Sequence, residues 1–95
     1  MPLDTVEWNI QDQIKTPESR AAYLEAAFED GDPQVIATAL GDVAKAVGMT
    51  EISRQTGLTR NSLYKALSSS GNPTLDTMTK ILNSLDLKLT VSYNA

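Results

Sequence analysis

The stretch MTEISRQTGLTRNSLYKALS, residues 49–68, decides the fold of this chain. Gly57 lies near its centre, where a tight turn needs a positive φ angle that glycine adopts without strain. The apolar residues that would hold the segments on either side together are Ile52, Leu58, Leu63 and Ala66. This spacing predicts two short helices, capped by Thr50 and Thr59, that cross at a tight turn as in a helix-turn-helix.

Three further helices are predicted around this motif. Thr16 and Asp32 each stand directly before a proline, which is a typical start of a helix, and Thr74 precedes an apolar series. The expected helices cover about residues 17–29, 33–47 and 75–85. Apolar stripes at helical spacing, which include Val35 and Leu75, should face inward. The sequence therefore predicts an all-α fold, a compact bundle of five helices.

The two ends of the chain add less regular elements. Residues 87–93, LKLTVSY, alternate between apolar and polar positions, which is typical of a half-buried strand. No second strong strand is present, so we expect this short C-terminal strand to pair with a second copy or with an N-terminal arm or strand. We interpret residues 1–95 as one domain with three parts. They are an acidic N-terminal arm and helix (1–31), a helix-turn-helix bundle (32–86, core motif 49–68) and a C-terminal strand (87–95).

Composition excludes several classes of function. The 95 residues include no cysteine and no histidine, which removes thiol nucleophiles, the commonest general base and the usual zinc ligands. We therefore expect no catalytic site, no metal and no cofactor, and hence no enzyme. The N-terminus lacks the pattern of a signal peptide, and no apolar run is long enough to span a membrane. These features predict a cytoplasmic protein without membrane contact.

The net charge of −4 is unevenly distributed along the chain. Residues 1–48 carry nine acidic and three basic side chains. The charged side chains of residues 49–72 are Arg54, Arg60 and Lys65 against Glu51. Because binding to phosphates depends on the local patch rather than on the whole chain, the overall acidity does not exclude DNA binding by this second segment.

Polar side chains cover the outward face of the predicted motif. In a helix-turn-helix, the second helix enters the major groove with its first residues at the base edges. Arg60 suits guanine and Asn61 suits adenine, because each can form two hydrogen bonds with that base. Thr59 suits a thymine methyl group or a phosphate. The residues expected at backbone phosphates are Thr50, Arg54, Tyr64, Lys65, Ser68 and Asn72.

Two alternatives to this interpretation remain open at the level of sequence. The motif could be an ordinary pair of helices with a polar exterior, as part of an interaction module that binds no DNA. Arg54 could be a surface charge that is paired with a nearby acid.

Several segments, taken in order along the chain, resemble a known family. They are YLEAA (residues 23–27), EDGDP (29–33), ALGDVAKAVGMT (39–50), GLTR (57–60), SLYKALS (62–68) and GNP (71–73). They resemble the HigA-like addiction module antidotes, which are antitoxins of type II toxin–antitoxin modules with a lambda-repressor/Cro-type helix-turn-helix. The resemblance covers about residues 8–91 and implies a lambda-repressor-like bundle.

The resemblance also implies a set of activities. The chain would neutralise a RelE/ParE-type (HigB-like) toxin and would repress its own operon by binding double-stranded operator DNA. It would act as a homodimer in the bacterial cytoplasm, associated with the nucleoid through the operator. The alternative is a stand-alone, phage-type DNA-binding regulator without a toxin partner.

Two further surfaces follow from these implied activities. A toxin that acts on RNA has a basic active site, so the acidic N-terminal part is complementary to it in charge. The candidate toxin-binding residues are Trp8, Asp12, Glu18 and Glu25. Trp8 would be an apolar anchor, or it would pack on the chain's own core. The candidate dimer interface, on the last helix and the unpaired strand, consists of Leu85, Leu87, Leu89, Val91 and Tyr93.

Overall fold

The computed structural model of the chain describes residues 13–68 and 70–93. Within these residues it has five α-helices: α1 Pro17–Asp30, α2 Pro33–Val47, α3 Met49–Thr56, α4 Arg60–Ala66 and α5 Leu75–Ser84. The all-α fold expected from the sequence is therefore confirmed. The expected N-terminal arm or strand lies outside the described residues.

The predicted capping residues start four of these helices, α1, α2, α4 and α5. Thr16 Oγ1 accepts a hydrogen bond from the backbone N–H of Ser19 at 3.1 Å, and Ser19 Oγ accepts one from the N–H of Thr16 at the same distance. Asp32 Oδ1 accepts from the N–H of Gln34 at 2.9 Å. Thr74 caps α5 in the same way. Each cap satisfies an N–H group that has no partner inside the helix, so these helix starts are set locally.

The prediction that Thr50 caps α3 is wrong. Helix α3 begins at Met49, and its N-cap is Gly48, which offers no side chain for a capping bond. The N–H of Gly48 also donates to the carbonyl oxygen of Ala44 at 2.8 Å and so ends α2. One residue therefore closes one helix and opens the next, which leaves no position for a separate capping side chain. Thr50 is an exposed residue in the first turn of α3.

The core lies around α2 and contains residues from every helix. Leu40 and Val43 on α2, Ile52 on α3, Leu63 on α4 and Ile81 on α5 are completely buried. Helix α1 contributes two buried residues and packs mainly against α2. Helix α5 packs against α3. The apolar stripes predicted from helical spacing therefore meet in one core.

Two residues expected to face inward do not do so. Val35 is 41% exposed and Leu75 is 64% exposed. Both stand in the first turn of a helix, and complete burial begins further along each helix, at Ala37 and at Ile81. Helical spacing identifies the side of a helix that packs, but it does not show where along its length the neighbouring elements cover it.

Helix α2 approaches the end of α4 very closely at Gly41. A Cβ atom built on Gly41 would lie 2.7 Å from the carbonyl oxygen of Leu67, the residue that follows α4. This atom is backbone rather than the end of a flexible side chain, so a larger residue would have to displace one of the two helices. The glycine therefore sets the distance between α2 and the end of α4.

Tyr23 and Asp42 connect α1 to α2 by a side-chain hydrogen bond. The Tyr23 hydroxyl donates to Asp42 Oδ2 at 2.6 Å. Burial, followed by the hydrogen bond to the Asp42 carboxylate and its negative charge, raises the pKa of Tyr23 to about 12. The phenol therefore stays protonated at neutral pH and remains a hydrogen-bond donor.

The C-terminal segment forms no strand within the described part of the chain. After the turn at Asp86, which has a φ of 59°, the N–H of Leu87 donates to the carbonyl oxygen of Leu82 at 2.8 Å. Residues 88–93 are exposed. A strand needs the backbone groups of a second strand, and none runs beside this segment in residues 13–68 and 70–93. The predicted strand is therefore absent from the described residues.

We predict that Gly41→Ala destabilises the protein by about 1–3 kcal/mol, because the new methyl group overpacks the contact with Leu67. The sign of the change in the free energy of unfolding is diagnostic, because replacing glycine by alanine in a helix without such a contact stabilises it by about 0.5–1 kcal/mol. Urea unfolding measures the change, with the exposed Thr38→Ala on the same helix as the control. A more stable Gly41→Ala protein would contradict the close approach.

Candidate nucleic-acid interface

Helices α3 and α4 are joined by a turn of three residues, Gly57, Leu58 and Thr59. Gly57 has a φ of 78°, in the left-handed region, and its N–H donates to the carbonyl oxygen of Ser53 at 2.9 Å. This bond ends α3, and the positive φ redirects the chain toward α4. The role predicted for Gly57 is confirmed.

Two side chains of α3 hold the residue that follows Gly57. Ser53 Oγ donates to the carbonyl oxygen of Leu58. Thr56 Oγ1 donates to the carbonyl oxygen of Ile52 at 2.7 Å and accepts from the N–H of Leu58 at 3.2 Å. Both backbone groups of Leu58 are thus bonded to side chains of α3. Because the turn is fixed in this way, the direction of α4 relative to α3 is fixed as well.

The polar residues expected on the outer face lie on the surface. The exposed ones are Thr50, Arg54, Thr59, Arg60, Asn61, Tyr64, Lys65 and Asn72, and Ser68 is half-buried. The opposite side of α4 presents Leu63 to the core, where it is completely buried. The two helices therefore have the apolar inside and polar outside that the sequence predicted.

The first turn of α4 is held by its own cap. Thr59 Oγ1 accepts from the N–H of Ser62 at 3.0 Å, and Ser62 Oγ donates to the carbonyl oxygen of Thr59 at 3.1 Å. Arg60 and Asn61 are the first two residues of the helix. Their side chains make no hydrogen bond or ion pair with the described part of the chain. Thr59 thus orders the backbone that carries two exposed polar side chains.

Arg54 has a partner within its own helix. Its Nε donates to Glu51 Oε1 at 3.2 Å, and a second guanidinium nitrogen bonds to Glu51 Oε2, which also accepts from the amide of Gln55. These hydrogen bonds, first that from Arg54 and then that from Gln55, lower the pKa of Glu51. The ion pair to Glu51 raises the pKa of Arg54. The alternative that Arg54 is a paired surface charge is therefore confirmed.

Polar residues of α4 and of the loop that follows it line a groove beside this helix. It is lined by Ser62, Lys65, Ala66, Ser68, Ser70, Gly71 and Asn72. Ser68 Oγ donates to the carbonyl oxygen of Lys65 at 3.1 Å and lies 3.4 Å from Ser70 Oγ. The sequence predicts no role for Ser62 and Ser70. The run of serines at residues 68–70 is the signal that could have drawn attention to Ser70.

Comparison with known proteins gives the family. A family model described as "probable addiction module antidote protein" matches residues 4–93. The chain belongs to this antidote family. It is similar to an uncharacterized protein of Haemophilus influenzae, at 35% identity over 88 residues, which covers 93% of this chain and 91% of the relative. No solved structure matches the chain significantly.

The antidote family implies a toxin as partner and favours a regulatory protein over an enzyme. Of the candidate toxin-binding residues, Glu18 and Glu25 are exposed on α1. Trp8 and Asp12 lie outside the described residues. No group of three histidine, cysteine or acidic residues in the described ranges could hold a metal ion. No helix in those ranges has both the length and the apolar character needed to cross a membrane.

The candidate dimer residues of the antidote divide into two groups. Leu85 and Leu87 are half-buried against the chain's own core. Leu89 is 38% exposed, Val91 is 99% exposed and Tyr93 is 92% exposed. The exposed positions alternate along the chain, so an extended conformation would place all three side chains on one face.

Proposed function

We propose that this antidote neutralises a RelE/ParE-type (HigB-like) toxin and represses its own operon by binding operator DNA as a homodimer. The main support for the DNA-binding activity is the start of α4. There, Arg60 and Asn61 are exposed and without an intramolecular partner in the described residues, on a helix whose position is fixed by the turn before it. In this proposal the protein acts in the bacterial cytoplasm, at the operator.

Helices α3 and α4 would act as the helix-turn-helix, with α4 in the major groove. Arg60 would donate two hydrogen bonds to O6 and N7 of a guanine, and Asn61 would bond N6 and N7 of an adenine. Thr59 Oγ1 accepts the capping hydrogen bond from the N–H of Ser62, and its hydroxyl hydrogen would donate to a phosphate. Sequence recognition would therefore depend on the first two residues of α4.

The phosphate contacts would lie around α4. Lys65, Ser68 and Asn72 line the groove beside this helix, and Tyr64 and Thr50 are exposed nearby in sequence. Such contacts set the register of a protein on the duplex without reading its sequence. Because Arg54 is paired with Glu51, Arg60 and Lys65 would supply most of the positive charge of this face.

The toxin would bind the acidic part of the chain. Glu18 and Glu25 are exposed on α1, and we extend the proposed surface to Trp8 and Asp12. A basic toxin would be attracted to this region, and the attraction would speed association. Family membership favours this role over that of a stand-alone regulator.

The homodimer would form through the C-terminal segment. Residues 88–93 make no hydrogen bond within the described chain, and the apolar side chains of Leu89, Val91 and Tyr93 are exposed. Pairing of this segment with its copy would satisfy the backbone groups and bury these side chains. A two-fold dimer of this kind would bind two related half-sites on DNA.

Arg60→Ala should weaken binding to the operator by about 1–3 kcal/mol and relax the sequence preference, because it removes a contact with a base. Lys65→Ala should weaken binding to specific and random DNA alike. Gel shifts with the DNA upstream of this gene, and with a scrambled duplex, measure both effects. Lys45→Ala on α2, an exposed base outside the α3–α4 unit, is the control. If neither Arg60→Ala nor Lys65→Ala changes binding, the assigned DNA face is wrong.

The double variant Leu89→Lys/Val91→Lys should be monomeric, since it puts charges on the face that would be buried in the dimer. The matched control is Thr90→Lys/Ser92→Lys, which adds the same charges to the other face of the same segment. Sedimentation equilibrium gives the mass of each protein. A dimeric double variant, or a monomeric wild-type protein, would refute this interface.

Co-expression tests the antitoxin activity directly. The reading frame that adjoins this gene should arrest growth when it is expressed alone, and this chain should restore growth when both are expressed. The two proteins should also purify together as a complex. Growth arrest that this chain fails to relieve would reject the proposed pairing.

A further inference from the structure

A groove lies between α1 and α2, and no other part of the described residues, 13–68 and 70–93, lines it. Its lining includes Tyr23, Ala26, Asp30, Asp32, Val35 and Ala39. Within α1 and α2, which the structure describes in full, Val35 is the only large apolar side chain that is exposed. The short alanine side chains leave open space beside it. The groove thus has an apolar centre that is exposed among the described residues.

The surroundings of this groove are acidic. Residues 21–44 contain five carboxylates and no basic side chain. Asp30 and Asp32 are exposed at one end of the groove. At the other end, the Tyr23 hydroxyl bonds to the Asp42 carboxylate. Tyr23 and Asp30 are seven residues apart on one helix, so the groove is about 10 Å long, which suits two turns of a helix or a short extended segment.

We propose that the toxin binds in this α1–α2 groove, with one apolar side chain beside Val35 and with lysine or arginine side chains at Asp30 and Asp32. This inference rests on the proposed function, because it takes the toxin as the partner. The negative charge of the groove indicates a basic partner, because an acidic groove without basic side chains attracts a basic protein segment. The apolar centre supplies the desolvated contact that dominates binding energy in protein interfaces.

Other occupants fit this groove less well. DNA is excluded by charge, because phosphates would face Asp30 and Asp32. A second copy would bring an equally acidic groove. Of the exposed bases that have no partner in the described residues, Arg60 and Lys65 belong to the face assigned to DNA and Lys88 to the segment assigned to the dimer, which leaves only Lys45 on α2. A basic partner protein satisfies both the charge and the apolar centre.

The test compares Val35→Lys with Leu75→Lys, which makes the same change at an exposed leucine on α5. The probe is the purified product of the adjoining reading frame, titrated into each full-length variant by calorimetry. Val35→Lys should raise the Kd by about tenfold or more, because a charge replaces the apolar contact at the centre of the interface. Leu75→Lys should leave the Kd unchanged. An unchanged Kd for Val35→Lys, or an equal loss in both variants, would overturn the proposal.

A second pair of variants tests the charge. Asp30→Asn/Asp32→Asn removes two negative charges from the groove and keeps side-chain oxygens for the turn and for the cap of α2. Asp76→Asn/Asp86→Asn makes the same net change on and after α5. The first pair should slow association several-fold and reduce its dependence on salt, and the second should not. Equal association rates for the two pairs would count against the groove.

The outcomes separate the two proposals. If the wild-type chain fails to bind the adjoining gene product, the proposed function is wrong and this inference falls with it. If the wild-type chain binds but all variants bind equally, the antitoxin function stands and the groove is wrong. If Val35→Lys turns a dimer into a monomer in sedimentation, a second copy occupies the groove, and this too overturns the proposal. Thermal unfolding of each variant confirms that it is folded.

Discussion

The contact between Gly41 on α2 and the carbonyl oxygen of Leu67 constrains the rest of the structure. Helix α2 forms the centre of the core, and at Gly41 the two backbones approach each other more closely than a Cβ atom would allow. This contact holds the end of α4. The bonds from Ser53 and Thr56 to Leu58 hold its beginning. A short helix of seven residues would be unstable alone, but here both of its ends are fixed by neighbours.

The helices could be predicted because their ends are determined by local chemistry. Thr16 and Asp32 precede prolines, Thr74 precedes an apolar series, and each satisfies free N–H groups with its own side chain. The predicted cap at Thr50 is wrong although its position fits one, because Gly48 is the N-cap of α3. The sequence does not reveal that Gly48 serves two helices at once, since this depends on how closely α3 follows α2.

The candidate DNA face was predictable to a similar degree. Polar residues at helical spacing opposite Leu63 had to lie outside once that residue was buried. The pairing of Arg54 with Glu51 remained open, because two residues three positions apart can pair or can both face a ligand. The exposure of Val35 depends on where neighbouring helices end, which no local pattern records. The C-terminal segment is a different case, because a strand depends on a second strand beside it, which no local pattern records.

The order in which the helices pack has a consequence for how the protein folds. Helix α1 contacts α2, α2 contacts α3, and α3 contacts α4, and each of these pairs is adjacent in the chain. The contact of α5 with α3 spans a greater separation. Chains dominated by such local contacts fold within microseconds to milliseconds, because little loop-closure entropy is lost before the native contacts form. An antidote with this topology would therefore recover its binding surfaces quickly after synthesis or local unfolding.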